Sequence, residues 1–170
     1  MEQNHPSNLN QSYFENTGFK NNRKKTQNLV IKLSNIDENK KNITLNEPLR
    51  IEKLSDIYLD SFITRQAVTN NQAHPNFTSC FVVSIDEFDI KTSSNENFLV
   101  NKLIIPNERR GGANDESFIH KGKKNNFVSS INPCTVKKLM IQITSINKQN
   151  MFNADDEDLA IFEFLIIPRE

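Results

Sequence analysis

Histidine is the side chain of this sequence best suited to hold a metal ion, and three are present, His5, His74 and His120. They are far apart in sequence, and no His-Xaa-His or His-Xaa-Asp pair occurs. Enzymes that bind a metal between neighbouring strands use such pairs, because two ligands must converge on one ion at about 2.1 Å. The spacing therefore predicts structural or surface histidines and no metal site.

The two thiols, Cys80 and Cys134, are the next candidates for chemistry. Neither has a histidine close in sequence to act as its base, and no Gly-Xaa-Ser-Xaa-Gly turn is present for a serine nucleophile. Two cysteines are also too few for a disulfide framework. We therefore expect free thiols, no catalytic residue, no cofactor and no small-molecule substrate.

A run of four acidic residues at 155–158 offers carboxylates that calcium could use. A calcium loop needs oxygen ligands at alternate positions and a glycine for its turn, and this run contains no glycine. The run is better interpreted as a solvated loop before the last strand.

Two basic clusters remain as candidates for binding a partner. Arg23, Lys24 and Lys25 are consecutive, and this triplet is suited to a phosphate backbone, an acidic protein or a lipid head group, although three charges are also ordinary in a flexible tail. Arg109 and Arg110 precede two glycines in a predicted surface loop, but the segment lacks the spacing and the lysine of a phosphate-binding loop. We predict that these five residues contact partners.

Composition limits the class of protein further. The chain has 170 residues, enough for one domain with a buried core, and its 21 basic and 21 acidic side chains give no net charge. This balance argues against wholesale binding to nucleic acid or to an anionic membrane. No stretch approaches the roughly 20 apolar residues of a membrane helix, and the N-terminus lacks the apolar segment of a signal peptide. We expect no membrane span and a protein made inside the cell.

The first 27 residues differ from the rest of the chain. Residues 1–27 are rich in Asn, Gln and Ser, with too few apolar side chains to offset the entropy lost on ordering. They predict an N-terminal arm that is flexible or is ordered only by a partner. The apolar residues follow it, so the folded domain is expected at 28–170.

Apolar and polar residues then alternate with the period of two that is typical of half-buried strands, first at Leu29, Ile31 and Leu33. Eight strand-like segments are predicted, separated by polar or turn-forming gaps. They begin near residues 29, 43, 57, 80, 98, 118, 135 and 160.

The segment from 57 to 68 is the longest of the early strands. Strict alternation along it places Ile57 and Ile63 on one face and Tyr58 and Phe62 on the opposite face.

Prolines and the last segment add further expectations. Pro48 is expected to bend its strand or to lie at a sheet edge, and Pro106 to stop the strand that begins at Phe98. The segment 160–167 is apolar on both sides except for Glu163, which indicates a central or covered strand.

Eight strands with long irregular connections predict an all-β fold, an eight-stranded antiparallel β-sandwich with jelly-roll topology and an extended N-terminal arm. An immunoglobulin-like sandwich is the main alternative, but it usually has seven strands, and its Cys and Trp marks are missing. In a jelly roll the fourth and seventh strands are antiparallel neighbours. Cys80 and Cys134 would then lie at opposite ends, about 20 Å apart at ~3.3 Å per residue, too far for a disulfide.

Several segments of the predicted domain share a pattern with a known family. They are ITL at 43–45, PLRI at 48–51, DIYLDSF at 56–62, FVVSIDEF at 81–88 and IFEFLIIP at 161–168. By these segments, residues 28–170 resemble the single jelly-roll minor capsid or penton proteins of large icosahedral double-stranded DNA viruses. The resemblance is a similarity of sequence pattern, and the family has no catalytic residues that could be assigned to this chain.

The resemblance implies a structural component of a virion, made and assembled inside the host cell, that fills fivefold vertices or cements neighbouring capsomers. Its partners would be other capsid proteins, including copies of itself, and the arm at 1–27 would reach into adjacent subunits. Two alternatives stay open. One is a cellular β-sandwich binding module, such as a chaperone-like oligomer that recognises a basic protein through the acidic run at 155–158. The other is a metal-dependent jelly-roll enzyme.

Overall fold

The computed structural model describes residues 26–34, 40–65, 79–107, 117–120, 126–149, 152 and 159–170, so the predicted arm lies outside it except for its last two residues. Within these ranges the chain forms nine strands and a short 3₁₀ helix. They are β1 (Gln27–Ser34), β2 (Lys40–Ile51), β3 (Ser55–Arg65), β4 (Cys80–Ile85), the helix (Asn97–Leu99), β5 (Leu103–Pro106), β6 (Ser117–His120), β7 (Asn126–Ile131), β8 (Cys134–Ser145) and β9 (Leu159–Pro168).

The strands form two antiparallel sheets. In the first sheet the order is β1-β9-β3, and the far edge of β3 pairs with β7 at residues 55–59 and with β6 at residues 62–65. The second sheet has the order β2-β8-β4-β5. When β6 and β7 are counted as two halves of one strand, each sheet has four positions in jelly-roll order. The predicted all-β sandwich is confirmed, and its sixth strand is divided in two.

The core lies between the sheets and is rich in phenylalanine. Phe62, Phe162 and Phe164 of the first sheet and Phe81 of the second are fully buried. The Phe62 ring stacks on Phe162 with a centroid distance of 4.5 Å and meets Phe81 edge-on at 4.9 Å. Aromatic contacts of this kind add about 0.5–1.5 kcal/mol beyond the area they bury, so this cluster ties one sheet to the other. Phe152, which the sequence places in a polar loop, is buried in the same core.

A β-bulge in β3 changes which of its residues face the core. The pairing with β9 shifts by one position between Leu59 and Ser61, which leaves Asp60 as the extra residue. Beyond the bulge Phe62 is buried and Ile63 is partly exposed, so the strict alternation predicted for this strand is wrong after residue 59. The cause is physical, because one inserted residue moves every later side chain to the opposite face.

The predictions for the first and last strands are confirmed. Leu29, Ile31 and Leu33 of β1 are buried, and the residues between them are exposed. β9 is central in its sheet, with β1 on one side and β3 on the other.

The two prolines behave differently from one another. Pro48 lies in an edge strand, β2, whose pairing with β8 shifts at that point, as predicted. The strand predicted from Phe98 is shorter than expected. Residues 97–99 form the 3₁₀ helix and Asn101 has a φ of 57°, so extended structure starts only with β5, which Pro106 ends.

Cys80 and Cys134 form no disulfide, and their strands β4 and β8 are antiparallel neighbours, as predicted. The register places Phe81 opposite Ser145, at the far end of β8 from Cys134. Cys80 lies one residue further out, twelve positions from Cys134 along β8, so at about 3.3 Å per residue the two cysteines are roughly 40 Å apart. The separation exceeds the predicted value because β8 continues well beyond the end of β4.

Candidate interaction surfaces

The five basic residues predicted to contact partners lie outside the described residues. Arg23, Lys24 and Lys25 precede residue 26, and Arg109 and Arg110 fall between residues 107 and 117. Their role stays a prediction.

Most of the groups that could bind a metal also lie outside the described residues. The acidic run at 155–158, His5 and His74 lie outside the described residues, and His120 is in β6 with its backbone opposite Phe62. Across the described part of the chain, no three His, Cys, Asp or Glu side chains are grouped as a metal site requires.

An acidic turn follows β4 and borders a shallow depression lined by Asp86, Glu87 and Asp89. The Glu87 carboxylate accepts a hydrogen bond from the backbone N–H of Met140 at 2.9 Å, and Asp89 lies 2.6 Å from the ammonium of Lys91. The first contact holds the turn against β8, whereas the second is local and exposed, and both carboxylates thus have partners without any ligand.

The central strand β9 presents different residues to the two sides of its sheet. Phe162 and Phe164 point into the core. The alternate residues lie on the outer side and are partly exposed. They are Ile161, Glu163, Leu165 and Ile167.

Neighbouring strands extend these outward residues into rows across the sheet. Leu165 lies between Asn28 of β1 and Tyr58 of β3, and Tyr58 lies opposite Phe127 of β7. The Tyr58 and Phe127 rings meet edge to face with their centroids 5.8 Å apart. The Phe127 side chain nevertheless remains 54% exposed. This row is apolar across three adjacent strands.

A polar row and then a second apolar row run parallel to the first. Glu163 lies between Val30 and Ser61, and the Ser61 hydroxyl donates a hydrogen bond to the Glu163 carboxylate at 3.1 Å. Two positions further, Ile161 lies beside Ile63. Successive rows are about 6.6 Å apart at the rise of a strand. The two apolar rows are thus about 13 Å apart, and a partner protein surface, which is wider than one side chain, would cover both.

We call this outward surface of the first sheet the β9 face, and define it by Tyr58, Ile63, Phe127, Ile161 and Leu165. Both rows lie on paired strands whose opposite side is packed in the core, so the positions of these side chains are fixed by the sheet. A rigid apolar surface of this kind is suited to contact with another protein surface.

One end of the β9 face is closed by the chain after β9. The Arg169 guanidinium donates to the Asp56 carboxylate from Nε at 2.9 Å and from Nη2 at 2.6 Å, and the Ser130 hydroxyl donates to the same oxygen at 2.8 Å. The backbone N–H of Arg169 also donates to the carbonyl of Leu54 at 2.8 Å. The hydrogen bond to Asp56 raises the pKa of Arg169 above its ordinary value, so the guanidinium is charged at every pH short of strong alkali.

The outer side of the second sheet is different in character where β2 and β8 pair. Lys40 lies opposite Gln142, Asn42 opposite Met140, and Thr44 opposite Lys138. Of these outward side chains Met140 alone is apolar, and it is partly exposed. We call this surface the β8 face, and define it by Lys40, Asn42, Thr44, Lys138, Met140 and Gln142.

No known protein-family model matches this chain, and no curated protein sequence matches it. No helix among the described residues is long and apolar enough to cross a membrane.

The β9 face is the surface that sequence reasoning missed. The signal lies in the last strand, which is apolar on both sides, a pattern that predicts a central or covered strand. The position is central, but the outward residues are only partly covered. Phe127 joins them through a register between β3 and β7 that no local pattern reveals.

Proposed function

We propose that this protein is a non-catalytic structural component of a virion, a minor capsid or penton subunit that acts through protein–protein contacts. The observation that supports this most is the β9 face. Folds host many functions, so the jelly-roll strand order alone would be weak support. An apolar surface held rigidly on the outside of that fold is a specific reason to expect a protein neighbour.

The energetic argument rests on the exposed part of the β9 face. Burying apolar surface is favourable by roughly 25 cal/mol per Å², and Phe127, Tyr58 and Leu165 form a continuous apolar row that a partner would remove from water. Glu163 and Ser61 lie beside this row and supply polar groups for orientation. A stable contact needs roughly 1,200 Å² in total, so the neighbour would also cover the second row at Ile161.

The neighbour we propose is another capsid protein, including copies of this chain. The basic residues Arg23, Lys24, Lys25, Arg109 and Arg110 would add polar contacts at the margins of that assembly. The site of action would be the virion, and assembly would take place in the host cell.

The test is to locate the protein in purified particles and to ask whether the β9 face holds it there. We expect mass spectrometry to find it at a fixed stoichiometry, and image reconstruction to place five copies at each vertex or single copies between capsomers. Phe127→Lys should fold but enter particles at least tenfold less well, because a charge replaces the exposed ring. The matched control, Thr44→Lys on the β8 face, should be incorporated normally.

Absence of the protein from particles would contradict the proposal. Equal incorporation of Phe127→Lys and the wild-type chain would reject the β9 face as the contact, and stoichiometric transition metal in the purified protein would favour the metal-dependent enzyme instead.

A further inference from the structure

The sandwich has four sheet edges, and three of them are interrupted. β2 contains Pro48 and a break in register, β5 has four residues and ends at Pro106, and the edge opposite β1 is divided between β6 and β7. Short strands, prolines and bulges are the features that prevent one sheet edge from pairing with another. Three edges are thus poorly suited to take up a further strand.

The fourth edge, β1, has none of these features. It pairs with β9 through eight consecutive positions without a register shift, and it contains no proline. In an antiparallel strand alternate residues direct their N–H and C=O groups away from the neighbour, so β1 offers a regular row of donors and acceptors on its far side. Among the described residues, the backbone of β1 makes no backbone–backbone hydrogen bond other than those of its pairing with β9.

The middle of β1 also carries an exposed aliphatic side chain. Val30 is 60% exposed on the outer side of the sheet, between Asn28 and Lys32. A strand added to this edge would place a side chain about 4.5–5.5 Å from Val30 and cover it. The edge therefore combines an extended backbone with an apolar centre, which is the chemistry that another extended strand recognises.

We propose that the strand added here is β1 of a second copy, paired antiparallel about a twofold axis at Val30. In a continuous sheet, directly opposed residues point to the same face. The exposed, outward residues of β1 have even numbers. Each of them must therefore lie opposite an even-numbered residue of the second copy if the two outer faces are to match. The axis at Val30 places Val30 opposite itself and Lys32 opposite Asn28 of the second copy. Apolar meets apolar at the centre of this arrangement.

The charges of β1 fit this register. Lys32 is the strand's one charged residue, and the register sets it against a neutral amide. A slip of two residues in each chain would instead set Lys32 against Lys32, which is unfavourable because like charges directly opposite destabilise a strand pair. The pairing spans about seven positions, so the contact is a small one, and we expect a dissociation constant below about 100 µM but not a permanent dimer.

The substitution Val30→Lys tests dimerisation without disturbing the fold of the monomer. Within its own chain residue 30 lies opposite Glu163, so the new ammonium gains an opposite charge and the monomer stays folded. Across the twofold axis the same change sets two ammonium groups against each other. We expect the full-length variant to dimerise at least tenfold more weakly in sedimentation equilibrium, with unchanged circular dichroism and an unchanged unfolding midpoint.

Two further variants complete the test. Phe127→Lys makes the same change of charge at a similarly exposed site on the same face but near the opposite edge of the sheet, and it should leave dimerisation unchanged. Mixing Val30→Lys with the wild-type chain should give a mixed dimer that is more stable than the Val30→Lys homodimer, because only one ammonium group then lies at the axis.

The inference fails if the wild-type chain is monomeric at several hundred micromolar. It also fails if Phe127→Lys abolishes the dimer while Val30→Lys does not, a result that would place the contact on the β9 face. Because only purified protein is measured, these outcomes are distinct from failure to enter particles.

Discussion

The β9 face and the β8 face lie on the outer sides of two sheets with the same number of positions, yet the first is mainly apolar and the second, where β2 and β8 pair, is mainly polar. On the β9 face Phe127 and Leu165 extend an apolar row across the strands, whereas Thr44 and Lys138 occupy comparable places on the β8 face. A sandwich requires only that its inner faces be apolar. The difference is therefore not a requirement of the fold, which is why the proposed partner is assigned to the β9 face.

The sharpest test of this comparison lies within β9 itself. Phe162→Ala should lower the free energy of unfolding by about 3–5 kcal/mol, because it leaves a cavity beneath Phe62. Leu165→Ala on the outer side of the same strand should cost about 1 kcal/mol, since its side chain is only partly buried. Urea denaturation measures both, and equal losses would mean that Leu165 belongs to the core.

A second test compares the two outer faces directly. Phe127→Ala should cost about 0.5–1.5 kcal/mol through loss of its contact with Tyr58, and a double-mutant cycle with Tyr58→Ala should show that coupling. Lys138→Ala on the β8 face should change stability by less than about 0.5 kcal/mol. Absence of coupling would mean that the Tyr58 and Phe127 rings do not stabilise each other on the β9 face.

A third test concerns the contact that closes one end of the β9 face. Arg169→Gln should lower the unfolding midpoint, because Asp56 loses its charged partner. The pKa of Arg169 is raised in the folded protein, so its contribution is complete below the ordinary pKa and is lost only as the pH rises through the folded value in strong alkali. The difference between wild type and variant should not shrink between pH 7 and pH 10. A difference that vanished in that window would contradict this assignment.

The smallest expected effect has the opposite sign. The Ser129 hydroxyl faces inward, is buried and has no hydrogen-bond partner among the described residues, so Ser129→Ala should stabilise the protein by up to about 1 kcal/mol. Ser61→Ala, on the outer side, removes the hydrogen bond to Glu163 and should destabilise by about 0.5–1 kcal/mol. Thermal unfolding of the two variants decides the matter, and a destabilising Ser129→Ala would reveal a partner for that hydroxyl.

Much of the fold follows from local pattern. The alternation at Leu29, Ile31 and Leu33 predicts β1, and the two-sided apolar character of 160–167 predicts a central β9. Strand number and spacing then select the jelly-roll order, because few arrangements pair eight short strands without crossing connections. These features depend on residues close together in sequence.

The features that were missed depend on residues far apart. Nothing in the sequence around Asp60 marks it as the extra residue of a bulge, because the bulge exists only relative to the register with β9, about 100 residues later. The β9 face arises in the same way, since Phe127 and Leu165 both reach it through Tyr58. Basic clusters stand out in a sequence by their charge alone, and a dispersed apolar surface does not.

The extra residue at Asp60 makes the first sheet tolerant of a change in chain length. Leu59 and Ser61 already lie opposite consecutive residues of β9, so removing Asp60 would restore regular pairing and leave Ser61 and Ile63 outside and Phe62 and Thr64 in the core. Related chains that lack only this residue would thus present the same exterior to their neighbours. At this point of the strand, a change in length need not alter what such a protein fits against.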